Sequence, residues 1–253
     1  MNERRIFKRP SNVIHPFRDA AAASRSETLS AAPTRLWHRP RIDRRVGVMV
    51  LIGLCCIGEP LISGPRNSVV TLFTAADFPN GWSHHSAEKE TKLSEVWKPV
   101  KGEEAANDEL ICLGKPFGYL RTNKLYENFE FRLEWRYPKE NANGNSGILI
   151  YTAKEVKIWP NAIQVQLHSP TAGSVFPSGK AEADNKLMVT DLSKPAGQWN
   201  SCVITSKAGR VTVVVNGKKA GEVTGCKPAK GGIALQSEGS EVHFRRIMLK
   251  SLN

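Results

Sequence analysis

Gln164, Gln166 and His168 occupy alternate positions in the run Trp159-Pro160-Asn161-Ala162-Ile163-Gln164-Val165-Gln166-Leu167-His168. Successive side chains of an extended strand point to opposite faces. The spacing therefore turns Ile163, Val165 and Leu167 to a core and lines two primary amides and an imidazole along the other face. Such a row suits a hydroxyl-rich ligand, because amides both donate and accept and a neighbouring indole, here Trp159, covers the C–H patches of a sugar. Downstream, Gln236 and Glu238 are again two positions apart. Upstream, Asn145 stands in Gly144-Asn145-Ser146-Gly147 at the head of a second apolar run, Ile148-Leu149-Ile150-Tyr151. Glu238 and His168 are the members of this set able to move a proton near neutral pH. Plain solvated sheet gives the same spacings: amides on the outer side of half-buried strands, Asn145-Ser146 as a turn, and Glu238 on a turn beside Gly239.

The elements that must position these groups read as strands. Residues 129–137, Phe-Glu-Phe-Arg-Leu-Glu-Trp-Arg-Tyr, alternate without a fault, which sets Phe131, Leu133 and Trp135 on one buried face. Short strands are expected at 69–73, 95–100, 109–113, 231–237 and 241–249. Residues 211–215 and 218–223 flank Asn216-Gly217, a strong hairpin turn. In the last strand Val242 and Phe244 share a face while Ile247 and Leu249 are out of phase, and a bulge near Arg245-Arg246 restores both to the core. No stretch carries a capped helix period. Many short strands at this spacing predict an all-β, two-sheet antiparallel sandwich.

Length and composition fit one such domain. The chain has 253 residues, 40% of them apolar and 24% charged. Its formal charge is +12, of which residues 1–45 hold +7 (11 Lys and Arg against 4 Asp and Glu), leaving +5 for the remainder. The basic character thus belongs to an arm whose Arg, Ala, Ser and Pro content reads as disordered, and no basic stripe with interleaved aromatics marks a nucleic-acid partner. After Arg44-Arg45 the uncharged run 46–57 is short of the ~20 apolar residues that cross a bilayer. A basic flank before such a run reads as an export signal, so residues 1–65 form the arm and signal and 66–253 the domain. The protein is then expected in the periplasm, outside the cell or on its surface, touching membrane only through this segment if it stays uncleaved. Beyond it, Cys112, Cys202 and Cys226 permit at most one internal disulfide, and none has zinc-site spacing.

Several segments in order resemble the 3-keto-disaccharide hydrolase domain family. They are Leu72-Phe73 with Asp77 and Gly81-Trp82, Leu120-Arg121-Thr122 with Tyr126 through Glu130, Gly144 through Ile148, Trp159-Pro160 through Gln166, Gln198-Trp199-Asn200, and Gly232 through Gly239 with Phe244-Arg245. The resemblance implies a jelly-roll sandwich of the concanavalin A-like lectin and glucanase type, with a carbohydrate site on its concave sheet. It implies Asn145, Tyr151, Trp159, Gln164, Gln166 and Gln236 as substrate-binding residues and Glu238 and His168 as catalytic ones. It also implies cleavage of glycosides oxidised at C3, or of plain disaccharides. A C3 ketone acidifies the C2 hydrogen, so a base can remove it and the C1 substituent can leave by elimination, with water adding afterwards. That route needs a base, a donor or divalent metal to hold the enolate, and an acid for the leaving oxygen. Direct hydrolysis needs two carboxyl groups. The chain departs from the family pattern where Gln164 stands for Glu, Tyr151 for Arg, Ser174 for Asp and Arg246 for Asn. Gln at 164 keeps the shape of Glu and loses its proton, so a sugar-binding module without turnover is the second reading, and a surface adhesion or scaffold module a third. The expected mature chain begins between about residues 58 and 66, and N-terminal sequencing of protein from its native host checks this; recovery of Met1 would overturn it.

Overall fold

The computed structural model describes residues 68–153 and 157–253. The basic arm, the export segment and its expected cleavage positions lie outside them. In chain order the strands are β1 (Val69–Thr71), β2 (Trp82–Ser86), β3 (Trp97–Val100), β4 (Glu109–Cys112), β5 (Gly118–Thr122), β6 (Phe129–Arg136), β7 (Gly147–Thr152), β8 (Ala162–Gln166) and β9 (Val175–Ser178). They continue with β10 (Asn200–Lys207), β11 (Arg210–Val215), β12 (Lys218–Val223), β13 (Gly232–Ser237) and β14 (Val242–Ser251). An eight-stranded sheet runs β12-β11-β10-β6-β14-β4-β3 with β1 on β14, and a six-stranded sheet runs β2-β5-β13-β7-β8-β9. Every strand pair is antiparallel. The protein is the all-β, two-sheet sandwich that the strand periods imply.

The core lies between the sheets. Trp97, Phe131, Leu133, Trp135 and Phe244 of the larger sheet meet Leu120, Ile148, Ile163, Val165 and Leu235 of the smaller one. Pro99 and Pro177, which cannot donate to a ladder, fall on the edge strands β3 and β9, where a missing donor costs least. Asn216 and Gly217 both take positive φ, 50° and 77°, as the two-residue turn between β11 and β12 requires. The β14 bulge is present: its register on β6 shifts between Arg245 and Met248, Arg246 sits at φ 52°, and Ile247 and Leu249 return to the core. One expectation fails in part. Glu95 and Val96 form a single helical turn, α1 (Leu93–Val96), before β3 begins, because the Glu95 carboxylate accepts the Lys92 backbone N–H at 3.0 Å and closes the turn. Among the described residues the three cysteines are free and buried, and no helix is long and apolar enough to cross a membrane.

The outward side of the larger sheet is a lattice of opposite charges. Arg136 reaches Glu109 at 3.0 Å, Arg245 reaches Glu134 at 2.7 Å, and both guanidinium groups lie over the Trp199 ring, 4.6 and 4.1 Å from its centre. Trp135 supports this sheet from below, fully buried with Phe131 and Leu133 on its face. Its indole Nε1 has no hydrogen-bond partner, so its contribution is volume and apolar area. Trp135→Ala is therefore expected to cost ~3–5 kcal/mol in denaturant unfolding. Trp135→Phe should cost much less, since no hydrogen bond is lost; equal costs for the two would mean the N–H is engaged.

Candidate functional site

The smaller sheet carries on its outward face the groups that could do chemistry, and the register lays them out in rows. One row crosses all six strands as Ser83, Arg121, Ala234, Leu149, Gln164 and Phe176. The next runs His85, Tyr119, Gln236, Gly147 and Gln166. Continuing the pairings Leu235↔Ile148 and Gly147↔Gln166 outward puts Glu238 opposite Asn145, and Asn145 opposite His168. Backbone bonds from Leu167 N to Ser146 O (3.0 Å) and Ser169 N to Gly144 O (3.2 Å) carry that pairing past the end of β8. Asn145, Gln164, Gln166, His168, Gln236 and Glu238 thus share one patch three strands wide.

The segment Asn145-Ser146-Gly147 builds the middle of this patch, each residue differently. The Asn145 backbone N–H donates to Ser240 Oγ at 3.0 Å, tying β7 to the turn that follows Glu238. Ser146 Oγ faces inward and donates to the Gln236 carbonyl at 2.9 Å, fixing β13 against β7. Gly147 provides room. A Cβ there would stand 2.1 Å from Gln236 Oε1 and 3.2 Å from Gln164 Nε2, so the two amides lie over bare backbone.

The polar atoms of the patch are unusually free of protein partners. Gln236 is 1% exposed, yet neither its Nε2 nor its Oε1 makes a hydrogen bond. Asn145 Oδ1 and Glu238 Oε2 are buried and unpartnered as well. A buried polar atom without a partner costs roughly 1–3 kcal/mol, and a native fold keeps several in one place only for a reason. Gln166 is better held: its Oε1 accepts from Leu167 N at 3.2 Å and from Gln164 Nε2 at 3.4 Å. Burial pushes the Glu238 carboxyl above the ordinary glutamate value of 4.5, toward its neutral form.

Two expected members lie elsewhere. Tyr151 does not line this face. Its ring is buried between the sheets, its hydroxyl is 2.6 Å from Ser206 Oγ on β10, and it packs edge-on against Phe129. The cause is a bulge: the β13–β7 register shifts between Gly232 and Ala234, and Tyr151 takes φ 61°, which turns its side chain inward with Ile150 rather than outward with Leu149. Trp159 is 46% exposed in the connection leading into β8, at the opposite end of that strand from His168 and Glu238. Ser174, the third departure from the family pattern, is buried and exchanges hydrogen bonds with the Val189 backbone. The fourth, Arg246, lies on β14 of the larger sheet and bonds Glu134 at 3.0 Å, so of the four changes only Gln164 falls on the patch.

Four residues of the face were not assigned to the site from the sequence. Ser83, His85, Tyr119 and Arg121 come from β2 and β5; His85 stacks on Tyr119 with ring centres 4.8 Å apart. Arg121 lies over Gly232, where a Cβ would sit 2.6 Å from its Cζ, and donates to Thr152 Oγ1, Thr152 O and Thr122 O. The alternation of Tyr119 with Arg121 is the only local signal of this, and Leu120 and Thr122 beside them are equally buried. A divalent cation does not fit the patch. Its donors are amides with one carboxyl and one imidazole, short of the several anionic oxygens such an ion prefers. Among the described residues no three His, Cys, Asp or Glu side chains cluster as ligands.

Among solved structures, the chain is similar to a protein of Parabacteroides distasonis provisionally named a glycosyl hydrolase, at 24% identity and TM-score 0.49, over 68% of this chain and 100% of that one. A β-glucanase of Bacillus licheniformis aligns at 9% identity and TM-score 0.49, over 75% and 99%. The carbohydrate-binding module CBM66 of Bacillus subtilis aligns at 10% and 0.47, over 68% and 96%. No curated protein matches the sequence. The domain type supports a carbohydrate-active function. Residues 68–250 match the 3-keto-alpha-glucoside-1,2-lyase-like domain, and the chain belongs to that family.

Proposed function

We propose that the protein cleaves a glycoside already oxidised at C3, by elimination, on the outward face of the smaller sheet. The observation that carries this reading is the cluster of buried, unpartnered polar atoms on Asn145, Gln236 and Glu238, gathered on one patch in a member of this family. Glu238 is the only carboxylate in the rows that the register defines. Two-carboxylate hydrolysis lacks its second acid there, whereas elimination needs one. In its ionised form Glu238 takes the C2 proton, and the raised pKa makes it the stronger base. The electron pair passes into the C3 carbonyl, where amide N–H groups of Gln236 and Gln166 hold the enolate oxygen. The enolate then expels the C1 oxygen, which takes a proton from His168, and water adds to C1 with return of a proton to C2. We also propose that the protein acts after export, which rests on the apolar run 46–57 behind the basic arm.

Incubation with a 3-keto-glucoside and with the unoxidised disaccharide tests the reaction; turnover of the oxidised sugar alone is expected. Glu238→Gln should lower kcat by about 10²- to 10⁴-fold, the usual worth of an acid–base group. The wild-type activity limb should rise with pH through a midpoint above 4.5. The same carboxyl makes a stability prediction. Its folded-state pKa is raised, so its contribution is most favourable below the unfolded pKa and is lost as pH rises through the folded one. Glu238→Gln should therefore melt higher than wild type at neutral pH, with the gap closing toward acid; a lower melting temperature at every pH would show that the carboxylate is partnered.

Binding without turnover is favoured by one observation, Gln164, whose amide shares the patch but cannot titrate. Gln164→Glu separates the two readings. A gain in cleavage supports the enzyme, and unchanged sugar binding with no cleavage in either form supports the binder.

A further inference from the structure

We propose that the β2–β5 edge of the same face is a subsite for a negatively charged group on the saccharide, so that the protein prefers an acidic sugar. The reading rests on the carbohydrate function proposed above. A cleft of about 280 Å³ is lined there by Ser83, His85, Arg121 and Asn123. Among the described residues its walls carry a guanidinium, an imidazole, an amide and a hydroxyl, and no carboxylate. Arg121 is 3% exposed, and its hydrogen-bond partners among the described residues are carbonyl oxygens of Thr122 and Thr152 and the Thr152 hydroxyl. None of these neutralises its charge. A buried cation without a counter-charge is costly, and a bound anion offsets that cost.

The donors are directed consistently. Three of the five guanidinium N–H groups are used in those bonds, leaving two for a ligand. Ser83 Oγ donates to Asn123 Oδ1, which leaves the Asn123 NH2 group with no described partner. His85 is stacked on Tyr119, and both burial and the nearby Arg121 charge hold its pKa below the ordinary 6.5. An anion in the cleft would offset the Arg121 charge felt by the ring. The row through Arg121 continues over Ala234 and Leu149 to Gln164. Small and apolar side chains thus join the charged end to the amides, as the ring of a sugar lying across the sheet requires.

Calorimetric titration of the full-length protein with glucuronate, glucose 6-phosphate, glucose and inorganic phosphate tests this. At least one charged sugar should bind about 10- to 100-fold tighter than glucose, as a charge-assisted hydrogen bond implies. The advantage should shrink at high salt. Preference for glucuronate identifies a carboxylate and preference for glucose 6-phosphate a phosphate ester. Arg121→Gln should erase the preference while leaving glucose binding unchanged. Since Arg121 also ties backbone together, His85→Gln and the wild-type NMR signal of the His85 ring serve as independent readouts: the variant should weaken the preference, and the ring signal should move with the charged sugar and not with glucose. Equal affinity for all three sugars, or an unmoved His85, would overturn the proposal. Because unoxidised sugars are used, a failure to cleave 3-keto-glucosides leaves this comparison standing. Binding of inorganic phosphate at His85 with no sugar bound would overturn the carbohydrate reading and, with it, the saccharide preference.

Discussion

The outward face of the smaller sheet depends on how β13 is held against β7. The Ser146 hydroxyl bonded to the Gln236 carbonyl fixes that pair in register at one end, and the bulge at Tyr151 offsets it at the other. A slip of one residue would exchange the two faces of a strand. It would send Gln236 and Glu238 into the apolar core and turn Leu235 outward. Because Ile148 and Leu235 are fully buried, such a slip forfeits most of the hydrophobic gain of both strands, roughly 1.5–3 kcal/mol for each large side chain. Apolar packing on the inner face thereby sets the position of every polar group on the outer one.

The two sheets use their outward faces in opposite ways. On the larger sheet Arg136 meets Glu109 and Arg245 meets Glu134, with Trp199 beneath both arginines; these groups are satisfied within the protein. On the smaller sheet Gln236, Asn145 and Glu238 hold polar atoms out of water without a partner, and Arg121 is buried with only neutral acceptors among the described residues. Unspent hydrogen-bonding capacity and uncompensated charge, side by side on one face, set the smaller sheet apart from the larger one and are what the proposed ligand site rests on.

How much of this was legible depends on whether the period of two held. Where it held, in Gln164 with Gln166 and in Gln236 with Glu238, sequence spacing alone assigned the residues to a face, and the register then joined the two faces into one patch. Where the chain bulges, parity misleads. Tyr151 follows an unbroken apolar run, and nothing local announces that φ turns positive there, whereas the phase break between Phe244 and Ile247 did announce the second bulge. The polar strands β2 and β5 were not read as strands of the site, although Trp82 and Leu120-Arg121-Thr122 carry part of the family resemblance. Ser-His-His has no apolar alternation, and all five residues of β5 are buried, so neither face of that strand stands out. Arg121 and His85 become neighbours only through the pairing of β2 with β5, a long-range fact that no short window of sequence contains.

The position of β13 has a consequence in time. Its neighbours β5 and β7 precede it by eighty residues or more, and it sits between them. Such distant pairings form slowly, because a long loop must close before any contact rewards it. Until β13 is inserted, β5 and β7 are open edges and no ligand face exists. The face is therefore among the last things the chain assembles, and a nascent or truncated chain ending before residue 232 carries the strands of the patch without the strand that unites them.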